Sequence, residues 1–314
     1  MKNSATHLKL LVVAMIWGLG WTAGRVISLD DFPPITAAWI RYIIAVSMFL
    51  IWLKMTGMFR IPTKEEWKRL LYIGFFSTFL YQAFFMYGMR FTAAGDASLM
   101  ITFNPIITAL LAIPFLGEKM TKRLGAGLII ALTGVAILFV YSPNVDIPID
   151  ERILGNILII LSAGAWASST IFMKKAMTTT TSDSQQPLSP LELTVWASVV
   201  GLFILTPWAG YEIIDEGWPT FNLEIIASIV FLAVFSTVIA YVWFAEGIRT
   251  IGAAKSALYV YLVPPFGILG GVILIGEKLG LSLLIAFVLI VGGVAIAQSD
   301  KHDEAQATGT NHGD

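Results

Sequence analysis

Ten apolar runs of about 20 residues, separated by short corners rich in charge, proline or glycine, divide the chain. They lie near 8–27, 34–54, 68–88, 96–116, 124–141, 153–174, 191–208, 224–247, 254–275 and 280–298. A bilayer core about 30 Å thick takes roughly 20 helical residues to cross, so each run is long enough to span it once. Hydrocarbon admits only helices and closed barrels, because every backbone polar group must find its partner within the protein. No run alternates apolar and polar residues as a barrel strand does, so the expected fold class is all-α integral membrane with ten transmembrane helices. Composition agrees, since 13% of the residues are charged against about 25% in soluble domains.

The chain has no cysteine, and its three histidines (His7, His302, His312) lie outside the apolar runs. The spans therefore offer no thiol or imidazole for a metal site or an activated nucleophile. No G-x-x-x-x-G-K-[ST] loop occurs, which argues against ATP as the energy source. No catalytic residue, metal, cofactor or nucleic acid is expected. The expected partners are a small-molecule solute and the lipid bilayer, and the sequence is compatible with a monomer or a homodimer. The first run follows Lys2 and Lys9 with no small-residue cleavage site behind it, and reads as a retained span.

Cationic residues test the span assignment. With ten crossings both termini share a face, and assigning them to the cytoplasm places fifteen of the twenty Lys and Arg there. Only Arg25, Arg90, Arg152 and Lys278 fall outside, with Arg41 inside the second span. This is the positive-inside pattern of a cell (inner) membrane protein with both termini cytoplasmic.

The phrase "GEKMTKRLGAGLIIALTGVAI" at 117–137 returns as "GEKLGLSLLIAFVLIVGGVAI" at 276–296, an offset of 159. The same offset pairs "FST" at 76–78 with 235–237, Phe85 with Phe244, Gly88 with Gly247, Arg90 with Arg249 and Pro105 with Pro264. Offsets of 149 and 157 pair Trp17 with Trp166 and Trp39 with Trp196. Helices 1–5 (residues 1–141) thus correspond to helices 6–10 (142–298). Five is odd, so the second half enters from the opposite side, which makes two inverted five-helix repeats of the kind that frames a midplane site in transporters.

The stretches "FTAAGDASLMITFNPIITALLAIPFLGEKMTKRLGAGLIIALTGVAIL" and "GIRTIGAAKSALYVYLVPPFGILGGVILIGEKLGLSLLIAFVLIVGGVAIA" each resemble the EamA-type repeat of the drug/metabolite transporter (DMT) superfamily. The opening "AMIWGLGWTAGR" and the position of Arg41 are also similar to that family, over about residues 8–298. The resemblance implies a ten-helix permease with a central cavity that exports amino acids or related small metabolites by alternating access. Glu246 stands where the family usually has a small or apolar residue. A passive channel, a lipid scramblase and an intramembrane enzyme are the alternatives.

Candidate solute-binding residues follow from depth and chemistry. Pro105 and Pro264 each remove a backbone hydrogen bond near mid-membrane, which is expected to free the carbonyls of Ile101 and Val260. Matched breaks in two halves point to a transporter's site, and Asn104 adds an amide there. Arg41, roughly 10 Å deep at 1.5 Å per residue, suits a solute carboxylate or a structural pairing. Trp17, Trp166, Tyr261 and Gln82 complete the substrate-binding set, within a wider aromatic group of Trp21, Tyr81, Tyr241, Trp243 and Tyr259 that suits either a cavity or the interfacial belts. Glu246 is the proton-coupling candidate, with an i,i+3 pair to Arg249 as the structural alternative. The Gly-Glu-Lys corners read as structural, the glutamate accepting from the start of the next helix. Small-residue pairs such as Gly20/Gly24, Ala163/Ala167 and Gly267/Gly271 read as packing devices. The 178–190 segment reads as a flexible linker, and 299–314 as a disordered cytoplasmic tail.

Overall fold

The computed structural model describes residues 2–117, 119–144, 146–178 and 188–309. Glu118 of the first Gly-Glu-Lys corner, most of the expected linker, and the last five residues lie outside them. Among the described residues ten helices are long and apolar enough to cross a membrane: α1 (Ser4–Leu29), α2 (Pro34–Met55), α3 (Lys64–Phe91), α4 (Ala94–Leu116), α5 (Lys122–Tyr141), α6 (Ile149–Met177), α7 (Pro190–Glu216), α8 (Leu223–Ile251), α9 (Lys255–Ile275) and α10 (Leu281–Ser299). The described residues contain no strand. The chain is an all-helical, multi-pass membrane protein.

Helix starts follow local chemistry. Thr63 caps α3 and Asn222 caps α8, each side chain accepting a backbone N–H three residues on. These two caps stand 159 residues apart. Left-handed glycines, Gly117 (φ 72°) and Gly276 (φ 71°), end α4 and α9, where any other residue would carry a Cβ penalty.

Two ends differ from expectation. α7 runs to Glu216 instead of stopping near 208, because Pro207 removes only one hydrogen bond and the following turns keep theirs. The last helix continues to Gly309 where a disordered tail was expected, and no proline or glycine interrupts 299–308.

The internal correspondence extends to backbone distortions. α3 contains a π-helical stretch at Phe75–Leu80 and α8 one at Phe231–Ile239, around the two Phe-Ser-Thr triplets. α4 tightens to a 3₁₀ turn at Ile101–Phe103, and α9 at Tyr259–Leu262. Packing repeats as well: a Cβ on Gly88 would strike Ile159, while one on Gly247 would strike Leu10. Ile159 and Leu10 are themselves 149 residues apart, so α3 packs on α6 as α8 packs on α1.

The 3₁₀ turns correct one expectation. The carbonyls of Ile101 and Val260 are not left free, because the N–H of Asn104 and of Val263 reach them one residue early. A backbone that loses its i+4 donor to proline recovers satisfaction by tightening the turn.

Candidate functional site

A cavity of about 430 Å³ is lined by parts of α1, α2, α3, α4, α6, α8, α9 and α10. Its wall reaches Ala257 and Gln298, close to the start of α9 and the end of α10. No lining residue comes from the ends marked by Leu29, Ala94, Tyr141 and Ile275, so the cavity extends toward one face and stops short of the other.

Among the described residues Arg41 is the only charged side chain in the wall, and it is 7% exposed. Its Nε and Nη2 donate to Thr237 Oγ1 at 3.1 and 2.9 Å, and Nη1 donates to Gln82 Oε1 at 3.1 Å. The α8 distortion prepares this contact. Thr237 gives its hydroxyl proton to the carbonyl of Leu232, five residues back, which leaves its oxygen facing Arg41 as an acceptor. Gln82 is oriented in turn by donating to Tyr42 Oη at 3.2 Å. Among the described residues Arg41 pairs with no carboxylate, so its charge is dispersed onto neutral acceptors. A guanidinium has five N–H donors in a rigid fork that matches a carboxylate.

Aromatic rings continue the wall as a chain: Trp21–Phe85 (5.1 Å between centroids), Phe85–Tyr81 (6.1 Å), Tyr81–Trp166 (5.4 Å), Trp166–Tyr241 (5.8 Å) and Tyr241–Trp17 (5.9 Å). Trp17 is anchored by its indole N–H on the Ser236 carbonyl. Tyr261 donates to Gln298 Oε1 at 2.7 Å. Thr108 Oγ1 donates to the Asn104 main-chain carbonyl at 2.8 Å and stands 3.2 Å from its amide oxygen, and the Asn104 NH₂ group has no partner among the described residues. Asn104→Ala is therefore expected to weaken solute binding about two- to tenfold, the value of one neutral hydrogen bond. Equilibrium binding to purified protein reads this, with an unchanged elution profile showing that the fold survives.

Trp17, Arg41, Gln82, Asn104, Trp166 and Tyr261 all lie in this wall. Pro105 does too, whereas Pro264 is packed away from it. Trp243 and Tyr259 of the aromatic group stand elsewhere, Trp243 beneath Lys9 and Tyr259 bonded to His7. Glu246 is also absent from the wall. Its partner is not Arg249 but Lys9 of α1, at 2.8 Å, with both side chains about one-third exposed. Thr237, Ser236, Thr108 and Gln298 were not picked out from the sequence. The duplicated Phe-Ser-Thr triplet carried the signal for the first two, but only as a mark of duplication.

Among the described residues, ten membrane-length helices surround an asymmetric, partly polar cavity. The profile of the EamA-like transporter family matches residues 5–140 and again 153–298, and the chain belongs to that family. An uncharacterized transporter of Archaeoglobus fulgidus is 26% identical over 303 residues, covering 96% of this chain and 99% of the relative. The uncharacterized transporter YvbV of Bacillus subtilis is 28% identical over 310 residues, covering 98% and 97%. A protein of Salmonella typhimurium named as a probable amino-acid metabolite efflux pump is 26% identical, covering 91% and 92%. One solved crystal structure shares the fold, with a TM-score of 0.61 at 17% identity over 94% of this chain and 98% of that one. The protein is a transporter and not an enzyme.

Proposed function

We propose that the protein exports small carboxylate-bearing metabolites, amino acids among them, across the cell membrane by alternating access. The observation that carries this reading is Arg41: a buried guanidinium that, among the described residues, has no counter-charge and lies in an otherwise uncharged, largely aromatic cavity. A carboxylate there neutralises the cation bidentately, while the rings receive the apolar part of the solute. The name of the Salmonella relative supports the substrate class. In this reading, residues 1–141 and 142–298 are inverted halves that rock about the cavity. The charge distribution supports cytoplasmic termini, and in this reading the open side of the cavity is the loading side for export.

A solute screen in proteoliposomes, with and without a proton gradient, tests the substrate class. Carboxylate-bearing solutes should be transported and their carboxamide analogues should not; equal transport of both would remove Arg41 from recognition. The chain has no native thiol, so single cysteines at Asn104, Trp17 and Tyr261 add a direct check. Each should react with a water-soluble reagent and be protected by solute.

Glu246, paired with Lys9, is proposed as the coupling group. Glu246→Gln should abolish gradient-driven transport while leaving solute exchange intact. Equal loss of both, or of neither, excludes that role.

A further inference from the structure

The second Gly-Glu-Lys corner does something the sequence pattern did not suggest. Glu277 does not cap α10, the helix that follows it. Its carboxylate crosses to the other half of the chain and accepts the N–H of Ala94 at 2.5 Å and of Gly95 at 2.9 Å, the first two residues of α4. Next to it, the N–H of Lys278 donates to Asn144 Oδ1 at 2.9 Å, and Lys278 Nζ stands 2.8 Å from Asp146 in the α5–α6 connection. Arg25 of α1, whose charge faces Glu277, donates to the carbonyls of Met89 and Arg90 at the end of α3. The turn from α3 to α4 is thus held from both sides, by Arg25 at its entry and Glu277 at its exit.

These contacts all lie on the face where the cavity is closed. Beneath them α9 presents small residues to α1 and α4. A Cβ on Gly267 would strike Ser98, and one on Gly270 would strike Thr22. Ser98 is 0% and Thr22 2% exposed, so this seam separates the cavity from that face.

We infer that Glu277 is a latch: its carboxylate, capping α4 across the two halves, holds this face shut in the cavity-open state shown here and must let go for the transporter to turn over. The inference rests on the alternating-access reading. A negative charge at a helix N-terminus meets unpaired N–H donors and the positive end of the dipole, so the contact is favourable only while α4 and the corner are docked. Burial pushes the Glu277 carboxyl above its ordinary pKa, and the amides of Gly95 and Ala94, with Arg25, pull it back.

Two glycines make the docking feasible. A Cβ on Gly271 would collide with the Glu277 carboxylate, and one on Gly95 would stand 3.4 Å from it. Shifted by 159, these positions fall on 112 and 254, and the sequence has alanine at both. The two faces are therefore not equivalent, and the glycine-lined corner is the one found closed.

The test uses the full chain carrying a single cysteine, Thr22→Cys under the latch or Gln298→Cys at the cavity end, and the rate of modification by a water-soluble thiol reagent. With Glu277 intact, Thr22→Cys should react slowly and Gln298→Cys quickly. Adding Glu277→Ala should raise the Thr22→Cys rate about tenfold to hundredfold, the value of charge-assisted hydrogen bonds, and should lower the Gln298→Cys rate. Gly271→Ala, which displaces the carboxylate without removing it, should act in the same direction and decides the matter if Glu277→Ala does not fold. An unchanged Thr22→Cys rate in a folded variant overturns the latch. Solute counterflow through the unmodified protein keeps the two failures apart. Counterflow with an unchanged Thr22→Cys rate removes the latch alone, whereas absent counterflow removes the alternating-access reading and the latch with it.

Discussion

Arg41→Gln is expected to weaken binding of a carboxylate-bearing solute at least about 30-fold, because losing one partner of a buried, hydrogen-bonded charge pair costs about 2–5 kcal/mol. The protein itself should survive the change. Thr237 and Gln82 are neutral, and both keep other partners in the Leu232 carbonyl and Tyr42, so no orphaned charge is left behind. Arg41→Lys should restore only part of the affinity, since an ammonium cannot match two carboxylate oxygens in a plane. The corresponding carboxamide should bind the Arg41→Gln protein as well as it binds the original. Affinities measured by equilibrium binding of radiolabelled solute check all three statements. Equal binding of the carboxylate by Arg41→Gln and the unaltered protein would mean that the cation is structural.

The second large effect belongs to the framework. Gly127 of α5 and Gly293 of α10 face each other with their carbonyls, and a Cβ on either would land on the backbone of the opposing helix. A side chain meeting another side chain can rotate away, but one meeting backbone must separate the helices. Gly127→Leu is therefore expected to destabilise the protein by about 3 kcal/mol or more, the upper range for overpacking. The apparent unfolding temperature in detergent should fall by roughly 5–10 °C, with loss of monodisperse protein. Gly164, around which a Cβ finds open space, is the control position, and Gly164→Ala should leave both measures unchanged.

The two cases show why some features were legible in the sequence. Spans can be read because continuous apolar runs of the right length, without the alternation of barrel strands, satisfy their backbone in lipid only as helices. Cavity residues such as Arg41, Gln82 and Asn104 can be read because a polar side chain at mid-membrane has few tolerable places other than the interior. Features that depend on distant partners were not legible. The ion pair of Glu246 crosses 237 residues and the cap formed by Glu277 crosses 183, and nearer candidates, Arg249 and the start of α10, satisfy the same local chemistry. The π-helical stretches were hidden for another reason. Their register depends on how α3 and α8 pack, and Phe-Ser-Thr has no conformational signature of its own. Thr237, which orients Arg41, was therefore found only in the structure.

Counterflow tests the central claim most directly. Proteoliposomes containing the protein are preloaded with an unlabelled carboxylate-bearing solute and exposed to a trace of the labelled form. A carrier with one alternately exposed site should show labelled uptake that is accelerated by preloading, passes transiently above equilibrium, and is lost in Arg41→Gln. Uptake at the same rate with and without preloading, and unaffected by Arg41→Gln, would contradict the account and describe a passive pore.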